Sequence, residues 1–544
     1  MDPFFDSTNF TGNGTFLDTQ SAKTGVGLCL AAYIVYGCVA LGIAIFRPHA
    51  NKSTDFFITA RNSQSTLWSA CSWFASAMGA WTLYGPASLV ADPYYGTGII
   101  GLAVYAIFTG LPLVMLAYGG SSVRDNVPQA TSVSSYARWR FGIVAQVFVL
   151  FVVLLSLILG LVAEYQAIGG IFQTFFGVSP YVPLLTGGII TMIYTSVGGL
   201  YVSIITDFFQ TIVVWILTAF FVIYMAVSFK GEPLGPLPEY LGVTDLGWET
   251  LATLMLPFIC STFYGEAFWQ RVWSAENNNS LRRGAIIGGG MATIVIFILG
   301  FGGILAFWSG RANINSENPN NSSYAFFYAF ADSKTGMISS AVVVVIILFA
   351  SIMNESAIDS MQNAISDTVT STFIGLFGIH IQPIYVRVVV LVANIPIMAG
   401  AAYLTTSNVS ILNAYGITNM STTMTFAPLA AGLIPQLNKY LTTFSAIGAC
   451  FGSFIATTIY AYNAYGNLYD GMTALWWTSA YDYRGFITAF FSSIACIPLF
   501  IGIELLVRYF LGKPIQEFVP VPQAATEVKS LQALDAKVSD LLKA

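Results

Sequence analysis

The chain has 544 residues, of which 56% are hydrophobic and only 9% are charged, with a mean hydropathy of +0.71 and a formal net charge of −5. Soluble globules carry charge on about a quarter of their residues, so this composition excludes one and describes a polytopic, all-α membrane protein. It carries no nucleic-acid signature, and in a membrane chain the informative quantity is how charge divides between loops.

Residues 1–24 are polar and hold the sequons Asn9-Phe-Thr and Asn13-Gly-Thr, which predict glycosylation at Asn9 and Asn13 on an extracellular N-terminus. The apolar run 25–46 is long enough to span a bilayer and reads as a leading transmembrane helix rather than a cleaved signal peptide. Twelve more spans are predicted at about 65–90, 96–118, 142–172, 182–197, 207–229, 250–268, 285–308, 338–366, 385–404, 408–435, 441–463 and 486–511. Thirteen crossings from an outer N-terminus place the C-terminus in the cytoplasm. Charge supports that orientation independently, because 16 of the 21 Lys and Arg residues then fall on the inner side. The outer loop at 310–336 carries a further sequon at Asn321. The tail, 513–544, starts with prolines and ends in apolar residues at helical spacing, which predicts a short amphipathic cytoplasmic helix.

The six cysteines lie in apolar segments without metal-ligand spacing and read as small buried hydrophobes, and His49 and His380 do not suggest a metal centre. The predicted spans hold no nucleophile–base constellation for an intramembrane enzyme and no filter repeat or charge ring for a pore. They do hold a polar stripe. In 351–367, Glu355, Ser356, Asp359, Ser360, Asn363 and Asp367 fall on one broad helical face inside a run greasy enough to cross the membrane. An intramembrane carboxylate costs about 2.5–3.5 kcal/mol on insertion scales, so that face is expected to look into the bundle. Two other spans are interrupted, at Ser76-Ala-Met-Gly-Ala-Trp-Thr-Leu-Tyr-Gly-Pro86 and at Leu256-Pro-Phe-Ile-Cys-Ser-Thr-Phe-Tyr-Gly-Glu266. Broken helices release backbone carbonyls near the midplane and are the binding device of inverted-repeat secondary transporters.

The chain also resembles the sodium:solute symporter family over roughly 55–460. Phe56-Phe-Ile-Thr-Ala-Arg-Asn62, Gly198-Gly-Leu-Tyr-Val-Ser-Ile-Ile-Thr-Asp-Phe-Phe-Gln210, Trp269-Gln-Arg271 and Asp359-Ser-Met-Gln-Asn-Ala-Ile-Ser366 are similar to four family motifs, in family order. The resemblance implies a LeuT-type core of two inverted five-helix repeats, at 65–229 and 250–435, after the leading helix and before two peripheral helices at 441–512. It implies a sodium site built from carbonyls of Ala75, Met78 and Met353 with the Ser356 hydroxyl, near Asp359 and Ser360. Ala357 departs from the family pattern, which often has a second hydroxyl there. Asp359 is the expected compensating carboxylate, and the coupling ion stays open between Na+ and H+.

Ala80-Trp-Thr82 is similar to the urea-transporting branch of eukaryotic members, although that branch usually has a second Trp where Leu83 stands. Trp81 and Thr82 at the first break, Tyr105 one span on, and Tyr264 and Glu266 at the second are the expected substrate-binding residues. Plain packing between helices remains the alternative for Trp81 and Tyr105. Asp207 and Glu164 are expected in gating, with a helix-dipole role equally open for Asp207. The resulting expectation is an ion-coupled plasma-membrane symporter that imports a small polar solute by alternating access, with urea leading, no enzymatic activity and no cofactor. The alternatives are another metabolite (an amine, a monocarboxylate or a vitamin) and a transporter-like sensor without net flux.

Overall fold

The computed structural model describes residues 19–46, 53–91, 96–127, 130–230, 234–312, 325–331, 338–377, 382–406, 411–477 and 482–513. Asn9, Asn13, Asn321 and the amphipathic tail lie outside them. The described residues contain nineteen α-helices and no β-strand. Among the described residues, ten helical stretches are long and apolar enough to cross a membrane.

The leading helix is α1 (Thr19–Phe46), followed by the short α2 (Thr54–Thr59). The span predicted at 65–90 is two pieces, α3 (Thr66–Ala77) and α4 (Gly85–Ala91), joined through a 3-10 turn at Ala80–Leu83. Then come α5 (Gly98–Asn126), the short α6 (Val133–Phe141), α7 (Ile143–Phe176) and α8 (Tyr181–Ser228). The 48 residues of α8 cover two predicted spans, and the division falls at Gly199, with φ 56 and ψ −160. Only glycine tolerates that backbone readily, and a Cβ there would lie 2.4 Å from the Phe57 carbonyl oxygen.

The second half repeats the pattern of a broken passage followed by long helices. After α9 (Asp245–Thr253), α10 (Met255–Tyr264) and α11 (Glu266–Ser274) meet at Gly265, and the Trp269 indole N–H donates to the Phe263 carbonyl at 2.7 Å across that break. Next are α12 (Asn278–Trp308), α13 (Ala325–Tyr328), α14 (Ser340–Phe377), α15 (Pro383–Thr406) and α16 (Ile411–Ala430). The last three are α17 (Thr443–Tyr465), α18 (Leu468–Trp477) and α19 (Tyr483–Phe510). Each of the thirteen predicted spans therefore falls on a helix or on a broken helix pair, in a LeuT-type fold.

The helix with the polar stripe is the centre. The most apolar stretch of α14 is 72% buried, against 28% for α1 and 22% for α19. It packs on α8, α7, α1, α15, α11 and α3, and all six polar residues of the stripe are buried. Five cysteines are buried as expected, but Cys38 is exposed. The cause is peripheral placement: α1 presents one face to α8 and α14 and leaves the other uncovered.

Candidate functional site

The first break is held open by a side chain from another helix. Met78 and Gly79 are extended (φ −111, ψ 132 and φ −144, ψ −178), which interrupts the helical ladder between α3 and the 3-10 turn. Glu164 of α7 fills the gap. Its Oε2 accepts from the Ala80 N–H at 2.9 Å and from Asn354 Nδ2 of α14 at 3.0 Å, while its Oε1 has no partner. The fit requires glycine, because a Cβ on Gly79 would lie 2.0 Å from Glu164 Oε1. Thr82 turns its hydroxyl inward and donates to the Gly79 carbonyl at 2.7 Å, so it fastens the turn rather than facing a solute. Glu164, expected in gating, thus belongs to the break itself.

Three aromatic rings stand on the same break. Trp81 is half-buried, with its ring 5.9 Å from Tyr105 of α5 and 6.4 Å from Tyr415 of α16. Phe258 of α10 backs Tyr105 edge-on at 5.4 Å. The result is an aromatic corner at the break, beginning one residue after the Ala80 N–H that Glu164 holds. The sequence reading missed Tyr415, which lies in a span with no motif.

Tyr264 and Glu266 go elsewhere. The Tyr264 hydroxyl donates to Thr425 of α16 at 2.7 Å. Glu266 accepts from the Val133 N–H at 3.0 Å, capping the start of α6. Gln270, one turn along α11 from Glu266, reaches Asp367 of α14 at 3.4 Å. No contact brings Tyr264 or Glu266 to Trp81 among the described residues.

Four residues expected at the coupling ion do come together. Ala75, Met78, Met353 and Ser356 line a cavity of about 10 Å³ with Phe74, Gln210, Thr211, Val214 and Ile352. That is about the space of one water-sized sphere. Ser356 donates to Asp207 Oδ1 at 3.0 Å, which leaves its oxygen lone pairs available to a cation. Gln210 is 3% exposed, its Nε2 donates to the Ile352 carbonyl at 3.5 Å, and its Oε1 has no partner. A flipped amide would set two oxygens against each other, so Oε1 is the atom left unpaired. Asp359 does not line it: its carboxyl lies beside Tyr194 and Ser203 of α8.

Behind the cavity is a buried ion pair. Asp207 and Arg271 are fully shielded, with Arg271 Nη2 donating to Asp207 Oδ2 at 2.9 Å. Ser72 of α3 donates to the same oxygen at 2.7 Å and accepts from Arg271 Nε at 2.9 Å. Arg271 also donates to Ser360 at 3.0 Å and to the Ala267 carbonyl at 2.9 Å, and Ser76 lies 3.3 Å from Ser360. Asp207 therefore sits well inside the second segment of α8 as the counter-ion that ties α3, α8, α11 and α14 together, not as a helix cap.

A family model described as the sodium:solute symporter family matches residues 56–234. The chain is 26% identical to the spermidine transporter of Candida albicans over 458 residues, 83% of each protein. Its fold is similar to that of a substrate-bound, outward-open Na+-coupled sialic acid symporter, with a TM-score of 0.63 at 17% identity over 87% of this chain and 98% of that one. A nucleobase-cation-symport-1 transporter, closed around bromovinylhydantoin, matches with a TM-score of 0.51 at 14% identity over 86% of this chain and 97% of that one. Two broken passages, a central polar helix and the motifs at 56–62 and 198–210 accord with this similarity to the sodium:solute symporter family, which the family model carries over residues 56–234.

Proposed function

We propose that this symporter couples an inward Na+ gradient to the import of a small amine across the plasma membrane, with its N-terminus outside and C-terminus inside. The observation that carries the solute class is the first break, where Glu164 holds the Ala80 N–H with its Oε1 unpartnered and the adjoining Trp81 meets Tyr105 and Tyr415. A carboxylate beside aromatic faces attracts an ammonium group by about 0.5–2 kcal/mol through cation–π terms alone. The Candida relative named as a spermidine transporter supports the same class. Urea is the second reading. It is favoured by Ala80-Trp-Thr82 and by the 31° wedge between the Trp81 and Tyr105 rings, which suits a flat solute.

The ion site proposed is the small cavity between α3, α8 and α14. In this reading the ligands are the carbonyls of Ala75, Met78 and Met353 and the Ser356 hydroxyl, all from residues that line it, and the unpaired Gln210 Oε1 stands in for the oxygen that Ala357 lacks. A hard cation needs several oxygens at once, so its binding draws the broken end of α3 toward α14 and closes the bundle on one side. The repeats at 65–229 and 250–435 are the two bodies that move past each other around this point.

Competition in cells separates the solute readings. With labelled spermidine as solute, Glu164→Gln keeps the acceptor oxygen for Ala80 but removes the charge, and should raise KM about tenfold, which corresponds to about 1.4 kcal/mol. Trp81→Ala should weaken uptake in the same direction. If labelled urea enters and no amine competes with it, the amine reading is wrong and the flat-solute reading stands.

A further inference from the structure

A second cavity, of about 150 Å³, lies against the second break. Met115 and Gly119 of α5, Thr262 and Phe263 of α10, Trp269 of α11 and Phe426 of α16 are among its walls, and it shares no lining residue with the ion cavity or with the aromatic corner at Trp81. α5 and α16 both pack on α10. Phe263 and Trp269 form the clasp of the break, because their rings meet edge-on at 6.0 Å in addition to the hydrogen bond between them, and Phe426 meets Phe263 edge-on at 5.4 Å.

The lining dictates the chemistry of an occupant. Among the described residues no charged side chain lines the cavity, and only Thr262 and Trp269 bring a polar side-chain atom to it. Both donors are already engaged: the Thr262 hydroxyl donates to the Phe258 carbonyl at 2.7 Å and the Trp269 indole to the Phe263 carbonyl. A buried water needs two to four polar partners, so this space does not hold water well, whereas an apolar cavity of about its volume accepts a six-carbon guest the size of benzene.

The walls grade from closed to open. Trp269 is fully buried and Phe263 is 6% exposed, but Met115 is 48% exposed and continues a row of uncovered apolar side chains, Leu111, Met115 and Tyr118, along α5. That helix is long and apolar enough to cross a membrane, so in a bilayer the row meets lipid hydrocarbon, and the cavity is continuous with it at Met115. Gly119 keeps the entrance clear, since a Cβ added there would meet nothing within 4 Å. We propose that the cavity binds the terminal methylenes of a membrane lipid's acyl chain, which enters past Met115 and Gly119 and ends against the Phe263–Trp269 clasp of the second break.

The proposal requires only that these helices span a bilayer, so its failure leaves the symporter and amine readings untouched, and its test needs no solute. The purified full-length chain is placed in vesicles of phosphatidylcholine that carries a photoactivatable diazirine at the end of one acyl chain, and cross-links are mapped by peptide mass spectrometry. Label should appear on Thr262 or Phe263, at the closed end, as well as on Val35 and Val39 of the uncovered face of α1. Gly119→Leu, whose side chain enters the open space, should cut the label on α10 about fivefold or more and leave that on α1 unchanged, because close-packed space admits one occupant. The wild-type map carries the test where that variant does not fold. Label on α1 with none on α10, an undiminished α10 label in Gly119→Leu, or displacement of the α10 label by cholesterol but not by unlabelled phosphatidylcholine each overturns the proposal.

Discussion

Removing Arg271 isolates what the buried pair contributes. Its guanidinium makes four contacts of 3.0 Å or less at once: Nε to Ser72, Nη1 to the Ala267 carbonyl, and Nη2 to Asp207 and Ser360. In Arg271→Met, Asp207 keeps the donors Ser72 and Ser356 but remains a charge with no counter-ion at zero exposure. Breaking a buried pair from one side costs about 3–5 kcal/mol, because the remaining ion was desolvated for a partner that has gone. Asp207→Asn should cost a similar amount from the other side. Arg271→Lys keeps the charge but not the fork that spans four partners, and should fall between, at about 1–3 kcal/mol. The double substitution Asp207→Leu/Arg271→Met removes both ions and should be more stable than either single change. Thermal unfolding of the purified protein in detergent, read as a double-mutant cycle, gives the order. Additive losses, with the double variant least stable of all, would refute the pairing argument, and wild-type stability in Arg271→Met would refute the burial cost itself.

Two further outcomes follow from the break and the ion cavity. Gln210→Ala should raise the sodium concentration needed for half-maximal uptake about tenfold or more, and Ala357→Ser in that background should recover part of the loss by restoring an oxygen; sodium titration of uptake checks both. Gly79→Ala should abolish uptake in a chain that still reaches the membrane, because its Cβ would fall 2.0 Å from Glu164 Oε1 and one of the two must move. Surface labelling beside uptake separates that effect from misfolding.

What could be read from the sequence is what local periodicity and composition encode. Apolar runs near 20 residues gave the spans, Gly79, Pro86 and Gly265 marked the breaks, and the spacing of polar residues in 351–367 required α14 to be central. Even the division of α8 was visible, as two apolar runs around Gly198 and Gly199. Partners distant in sequence were not. Glu164 meets Ala80 across 84 positions and Asp207 meets Arg271 across 64, and no single-chain pattern relates them. Asp359 illustrates the limit: the stripe placed it on a buried face, but α14 is surrounded on all sides, so burial did not say which neighbour it meets. Gln210 was within reach, since it lies three residues after Asp207 on the same helical face that looks at α3. Its unpaired oxygen became visible only with the cavity around it.

The central claim is ion-driven import of an amine, and proteoliposomes containing only the purified chain test it most directly. Labelled spermidine should accumulate above equilibrium when sodium is higher outside, and should leak back when the gradient is collapsed. Equilibration without accumulation, or binding without entry under the same gradient, would contradict the account.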